Sequence, residues 1–181
     1  MLRGGLIGCG DVTRTHLSEW ERVDGAQMVA ACDLNMERAR ELAAEHGIPD
    51  VYRNHKELLE KADIDFVDIA TPTDSHLPIV RDAAAAGCHV LCQKPIAQTL
   101  EDLDAMDAAC REAGVRFMVN ENYRFQPWFR RMKELIEGGA IGDPFYARFH
   151  IHGRHSLPEF FFGEQTDLFS GMERLILFEV G

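Results

Sequence analysis

Hydrophobic positions follow two alternating rhythms over the first 120 residues. Short apolar runs of strand length are separated by segments whose apolar residues fall three and four apart. Leu6-Ile7 ends a first strand, and a helix follows over about residues 14–22. Residues 27–32 read as a second strand. Asn35 then caps a helix running to His46, in which Met36, Ala39, Leu42, Ala43 and His46 share one face and Gly47 is the C′ residue. Val51-Tyr52 is a short third strand, and Asn54 with Glu57 makes a capping-box pattern for a short helix. Residues 64–70 read as a fourth strand, Ser75 as the cap of a helix ending at Gly87, and residues 89–92 as a fifth strand. Leu100, Leu103, Met106, Cys110 and Ala113 stripe a further helix closed by Gly114, and residues 115–120 read as a sixth strand.

Strands separated by helices of this length require crossover connections, and so a parallel sheet covered on both faces. Six strands in this rhythm predict an α/β fold over residues 1–121, the doubly wound parallel sheet of the Rossmann dinucleotide-binding plan. After residue 121 the rhythm changes. Trp128, Phe129, Met132, Leu135 and Ile136 predict one amphipathic helix, ended by Gly138-Gly139, and residues 144–152 read as a strand. Phe160-Phe161-Phe162 and Leu175-Ile176-Leu177-Phe178 follow before Gly181. One strand with one or two helices does not bury a sheet face. Residues 122–181 are therefore expected to open a second α+β domain that is incomplete, in a chain that is cut or borrows a partner's surface.

Composition sharpens that division. Of 16 aromatic residues only Trp20, Tyr52, Phe66 and Phe117 lie in the first 120, and the other 12 crowd into the last 61. The hydrophobic share of 46% is enough for a sizeable core and excludes wholesale disorder. A formal charge of −11 argues against a nucleic-acid backbone or an anionic membrane as partner, and no apolar run is long enough to span a bilayer. Five cysteines (Cys9, Cys32, Cys88, Cys92 and Cys110) show no CxxC pair and no metal spacing, and read as reduced, mostly buried thiols of a cytoplasmic protein. Leu6-Ile7-Gly8-Cys9 looks like a lipoprotein cleavage site, but Met1-Leu2-Arg3-Gly4-Gly5 is too short for the charged start and apolar stretch of a secretory signal.

Candidate chemistry begins at the first turn. Gly8-Cys9-Gly10-Asp11-Val12-Thr13 ends the first strand and opens the first helix. In such a turn Gly8 permits the tight bend, and Gly10 lets the backbone approach a pyrophosphate. N–H groups of the helix start, at Asp11 and Val12, hold the phosphate charge. Thr13 occupies the third glycine position and departs from the GxGxxG/A pattern. Asp33 closes the second strand, 23 residues after Gly10, where a carboxylate accepts hydrogen bonds from adenosine ribose hydroxyls. A 2′-phosphate would face that charge, which favours NAD over NADP; Arg38 and Arg40 nearby read as a solvated helix face. The same turn and acid occur in methyltransferases that bind S-adenosylmethionine, and periodicity alone leaves them open.

Three further segments fall at carboxyl ends of expected strands, where ligands of open α/β sheets bind. They are Ala70-Thr71-Pro72-Thr73-Asp74-Ser75-His76, Gln93-Lys94-Pro95 and Asn120-Glu121-Asn122-Tyr123-Arg124-Phe125-Gln126-Pro127. In this order, and with the Gly-rich turn, they resemble the Gfo/Idh/MocA family of NAD(P)-dependent oxidoreductases over essentially the whole chain. The resemblance implies a two-domain enzyme that passes a hydride between NAD(H) and a secondary hydroxyl of a sugar, cyclitol or related polyol. It implies that Thr71, Pro72 and Thr73 line the cofactor with His76 near them, and that Gln93 and Lys94 stand beside the nicotinamide. Lys94 is then the catalytic lysine. An ammonium there donates to a hydroxyl or carbonyl oxygen and stabilises developing alkoxide charge. Lys94–Pro95 is a candidate cis peptide. Asn122, Tyr123 and Arg124 either reach substrate or nicotinamide, or serve interdomain packing. A homo-oligomer is expected.

Two departures matter. The family's Glu is Gln93 here, and an amide removes the carboxylate that would favour the charged lysine. The family also usually supplies a downstream Asp and His, the His as proton acceptor; Phe178-Glu179-Val180-Gly181 reads as the approach to that segment. The alternative reading is therefore a truncated or non-catalytic dinucleotide-binding protein that self-associates through its aromatic tail. His150, His152 and His155 invite a metal, but no carboxylate-rich ligand set accompanies them, and no metal is expected.

Overall fold

The computed structural model describes residues 1–148. The chain divides into two units, Met1–Asn120 and the part from Glu121 onward. In the first, strands β1 (Leu2–Ile7), β2 (Ala26–Cys32), β3 (Asp50–Tyr52), β4 (Phe66–Ile69), β5 (His89–Gln93) and β6 (Phe117–Asn120) alternate with helices. The helices are α1 (Val12–Trp20), α2 (Met36–His46), α3 (His55–Lys61), α4 (His76–Ala85) and α5 (Leu100–Glu112). All strand pairings are parallel, in the order β3-β2-β1-β4-β5-β6. This is the doubly wound α/β fold that the alternating rhythms predict.

Successive strand residues point to opposite faces, and the two cores follow from that. Leu6, Ala31 and Phe66 pack with Leu17 of α1 and Leu42 of α2. Ile7, Cys32, Val67 and Ile69 pack with Leu58 of α3, Ile79 of α4 and Met106 of α5. Each fully buried Leu contributes about 1.5–3 kcal/mol. β1 reaches back through Gly4 and Gly5, where the register against β2 shifts. A Cβ on Gly4 would lie 2.5 Å from both Met28 Sδ and the Phe66 ring, so large side chains of the flanking strands already fill that space.

The helix ends follow local chemistry with three departures. Asn35 Oδ1 accepts the Glu37 and Arg38 N–H groups at 3.1 and 3.3 Å, and Gly47 closes α2 at φ 66°. Asn54 Oδ1 accepts the Glu57 N–H at 2.9 Å, but Glu57 Oε2 accepts the Arg53 N–H at 3.1 Å, one residue earlier than a capping box requires. Ser75 does not cap α4 with its side chain. A 3₁₀ turn over Thr73–Ser75 leads into the helix, and the Ser75 hydroxyl lies 2.7 Å from both Pro72 O and Thr71 Oγ1. Thr99 caps α5 by accepting the Asp102 N–H at 3.1 Å, which makes Leu100 the first helical residue and leaves it exposed rather than on the core stripe.

In the second unit a 3₁₀ turn over Tyr123–Phe125 precedes α6 (Pro127–Glu137), with Pro127 in its first turn. Trp128, Met132, Leu135 and Ile136 share one face of α6 and are exposed. From Asp143 to Arg148 the chain forms no strand, so the described part of the strand expected at 144–152 is irregular. The remainder of that strand, His150, His152, His155, Phe160-Phe161-Phe162 and the run from Leu175 to Gly181 lie outside the described residues. No helix among the described residues is long and apolar enough to cross a membrane.

Candidate functional site

β1 and β4 are neighbours in the sheet, and the strand order reverses between them. In open α/β sheets the crevice at that point, beyond the carboxyl ends of the strands, receives ligands. Ile7 pairs with Cys32 on one side and Ile69 on the other. The Gly8 N–H continues toward Cys32 O at 2.9 Å, and the Ala70 N–H toward Ile7 O at 2.8 Å. Gly8 turns at φ +93°, and a Cβ on it would lie 2.7 Å from Ala70 O. Only glycine fits. A Cβ on Gly10 would meet nothing within 4 Å, so the space in front of that backbone is open. Asp11 and Val12 stand exposed at the start of α1. Thr13, at the third glycine position, is fully buried, and its hydroxyl donates to the Gly10 carbonyl.

Asp33 ties the end of β2 to this turn. Its Oδ2 accepts the Cys9 N–H at 2.8 Å and its Oδ1 accepts the Asn35 N–H at 2.8 Å. A carboxylate offers about four acceptor sites, so Asp33 keeps capacity for ribose hydroxyls while the backbone holds it still. Arg38 and Arg40 are exposed on α2.

His76 is fully buried. Its Nδ1 lies 3.0 Å from Ile96 O and its Nε2 2.8 Å from Thr71 O, so the ring bridges the loops that follow β4 and β5. It shapes the Thr71-Pro72-Thr73 loop from behind, through the backbone. Thr71 and Thr73 are half-buried and Pro72 is exposed.

Gln93 ends β5 opposite Asn120 of β6. Its Oε1 accepts the Lys94 N–H at 2.7 Å, and its amide nitrogen lies 3.1 Å from His16 Nε2. His16 Nδ1 lies 3.0 Å from Asp68 Oδ2, which also accepts the Trp20 Nε1–H at 2.9 Å; Asp68 Oδ1 accepts from Asn120 Nδ2 at 3.0 Å. Burial pulls the His16 pKa down, but the hydrogen bond to Asp68 and its charge outweigh that and lift it above the usual 6.5. Lys94 is exposed at the strand end, and Lys94–Pro95 is cis. Asn122, Tyr123 and Arg124 belong to the second unit and are exposed; the Arg124 guanidinium stands 5.5 Å over the Phe125 ring.

All five cysteines are free and buried. Burial first, then the Asp33 charge, pushes Cys9 up to about 12; burial, then Cys9, pushes Cys32 up to about 12. Such thiols are poor nucleophiles. Among the described residues no group of three or more His, Cys, Asp or Glu could hold a metal ion.

Sequence reasoning missed His16 and Asp68. Both left a signal. Asp68 is an acid inside the apolar run Phe66-Val67-Asp68-Ile69, which is entirely buried. His16 falls with Thr13, Leu17 and Trp20 at the three-and-four spacing of the inward face of α1.

An oxidoreductase family with an NAD-binding Rossmann fold, Gfo/Idh/MocA, matches residues 2–121. D-apiose dehydrogenase of Paraburkholderia graminis is 42% identical over 99% of this chain and 46% of its own length. An oxidoreductase of Agrobacterium radiobacter, solved with NAD+, L-tartaric acid and magnesium, has a TM-score of 0.76 at 40% identity, over 80% of this chain and 42% of that one. Scyllo-inositol dehydrogenase of Lactobacillus casei, solved with NAD(H) and scyllo-inositol, has a TM-score of 0.75 at 26% identity, over 79% of this chain and 43% of that one. The chain spans about half the length of the curated relatives it matches.

Proposed function

The chain belongs to the Gfo/Idh/MocA oxidoreductase family, and from that premise we propose that it carries the cofactor half of an NAD-dependent dehydrogenase acting on a secondary hydroxyl of a sugar, cyclitol or related polyol. The observation that carries this reading is convergence: the Gly8–Val12 turn, Asp33, the Thr71-Pro72-Thr73 loop and Gln93-Lys94 all stand at carboxyl ends of β1, β2, β4 and β5. Gly8, Gly10, Asp11 and Val12 would hold the pyrophosphate at the start of α1. Asp33 would accept from the adenosine ribose and select against a 2′-phosphate, favouring NAD over NADP. Thr71, Pro72 and Thr73 would line the cofactor, with His76 setting their backbone and Gln93 holding the Lys94 peptide. The bound nicotinamide exchanges the hydride; Lys94 would orient the substrate oxygen and stabilise its developing charge.

Residues 122–181 would open the substrate and oligomerisation domain, with Asn122, Tyr123 and Arg124 facing substrate, in a homo-oligomer. D-apiose, scyllo-inositol and myo-inositol, for which relatives are named, form the first substrate panel. Titration of the chain with NADH, followed by fluorescence, tests the cofactor assignment. Saturable binding that weakens at least tenfold in Asp33→Ala is expected, a loss of about 1.4 kcal/mol. No saturation, or equal binding by both proteins, overturns it; tighter binding of S-adenosylmethionine than of NADH would replace it with a methyltransferase reading.

A further inference from the structure

Gln93 has one amide and two tasks. Its Oε1 accepts the Lys94 N–H at 2.7 Å, which fixes the way the amide faces. Its NH₂ is then turned toward His16 Nε2 at 3.1 Å. An amide NH₂ only donates, so Nε2 presents its lone pair, and the single proton of a neutral ring sits on Nδ1, 3.0 Å from Asp68 Oδ2. Asp68 is itself buried and held by Trp20 and Asn120. Strand alternation explains the meeting: Phe66 packs in the same core as Leu17 of α1, and Asp68, two residues on, faces the same helix. An unbroken chain of hydrogen bonds therefore runs from the middle of the sheet, through α1, to the peptide of Lys94.

We propose that His16 is a positioning residue for Lys94: it holds the Gln93 amide in the one orientation that binds the Lys94 N–H, and releases it on taking a second proton. The proposal rests on the reading of Lys94 as the group that meets the reacting hydroxyl. A proton on Nε2 would face the Gln93 NH₂, donor against donor. Rotating the amide brings Oε1 to His16, but it then turns NH₂ against the Lys94 N–H. One state of the ring holds the lysine peptide and the other frees it. Among the described residues the charged group that bears on the ring is Asp68 of β4, and it favours the second proton. Gln93 of β5, at the other ring nitrogen, and Trp20 of α1 and Asn120 of β6, which hold Asp68, are uncharged. Cys92 of β5, which senses Asp68, has its thiol pushed up by burial and stays neutral. Lys94 lies beyond Gln93 at the exposed strand end.

Nuclear magnetic resonance of the chain labelled with ¹⁵N-histidine and ¹⁵N-lysine reads both ends of the device. Only Lys56, Lys61, Lys94 and Lys133 contribute lysine amides. At high pH His16 should carry its proton on Nδ1, with Nε2 bare. As pH falls, the Lys94 amide should shift with the His16 midpoint. In Gln93→Glu a carboxylate accepts from both the Lys94 N–H and a protonated Nε2. His16 should then stay protonated to higher pH, and the Lys94 amide should lose its dependence on that titration. In turnover by the full-length protein, His16→Phe should lower kcat about tenfold or more with the NADH Kd unchanged, the pattern of a misplaced reacting group. A Lys94 amide indifferent to the His16 titration, or a high-pH proton on Nε2, overturns the proposal. A wild-type chain that fails to bind NADH overturns the proposed function instead, and leaves the tautomer and the Lys94 shift as they are.

Discussion

Alanine at Gly8 and alanine at Gly10, made one at a time, separate what the fold requires of this turn from what a bound dinucleotide requires. Gly8 sits at φ +93°, and its Cβ would lie 2.7 Å from Ala70 O and 2.9 Å from both the Ala70 carbonyl carbon and Thr71 Cγ2. The left-handed backbone costs an alanine about 1–2 kcal/mol. The collision is with the backbone just past β4, which yields only by parting the β1–β4 pair, and overpacking of this kind adds about 1–3 kcal/mol. A sum of about 2–5 kcal/mol, at about 2–4 °C per kcal/mol, lowers Tm by at least about 4 °C. Gly10 differs: its Cβ would meet no protein atom within 4 Å. Gly10→Ala should leave Tm within about 2 °C, as surface changes stay within about 0.5 kcal/mol. Its methyl would stand where the pyrophosphate is proposed to approach, so the NADH Kd should rise at least tenfold, about 1.4 kcal/mol. Thermal melts of the unliganded proteins and NADH titrations of each check both halves. A Gly8→Ala protein that melts like wild type refutes the steric reasoning, and a Gly10→Ala protein with wild-type affinity refutes the placement of the pyrophosphate.

Lys94→Met should lower kcat on any accepted polyol by about 10²–10⁴-fold in the full-length protein, the range of a positioned acid or base, while changing the NADH Kd less than about threefold; equal losses in both would move Lys94 from chemistry to cofactor binding. With Cys9 and Cys32 pushed up to about 12, only about one thiolate in 10⁴ exists at pH 8. A thiol-reactive disulfide should therefore titrate neither until the chain unfolds, and prompt colour from the native protein would contradict their burial. The His16 pKa is raised in the folded state. Its contribution is thus fully present below the ordinary 6.5 and lost as pH rises through the folded value. In urea melts the stability gap between wild type and His16→Phe should be wider at pH 5.5 than at pH 8.5, and a gap that widens with pH would reverse the sign.

The parts of the fold legible in the chain were those whose causes are local. Asn35, Gly47 and Asn54 act within four residues of themselves, and their caps stand where the pattern puts them. β1 was legible only at its apolar end, because Gly4 and Gly5 have weak strand propensity and owe their place to Met28 and Phe66 on neighbouring strands. Ser75 has the residue type of a cap, but Thr71 and Pro72 lie close enough to engage its hydroxyl first. The candidate site divides the same way. The Gly-rich turn and Asp33 are marked in the sequence by strand ends and turn chemistry, and Lys94 by the resemblance of Gln93-Lys94-Pro95 to a family motif. His16 and Asp68 were not, because they meet across 52 residues and only the register of β4 against α1 brings them together.

Gln93 shows how that distance changes the meaning of a substitution. Along the chain, Gln in place of the family's Glu reads as a lost negative charge beside Lys94. In space the residue at 93 and His16 form a unit. A glutamate accepting from both Lys94 N–H and His16 Nε2–H requires an imidazolium, so the pair carries one negative and one positive charge. A glutamine that makes both contacts goes with the neutral ring, and the pair then carries none. The net charge of the pair is zero in both cases. What the amide removes is therefore a dipole rather than a charge, and the protonation state of His16 offsets much of the electrostatic loss that the substitution alone implies. The surroundings of Lys94 are set by two residues that the chain separates by 77 positions and the fold places in contact.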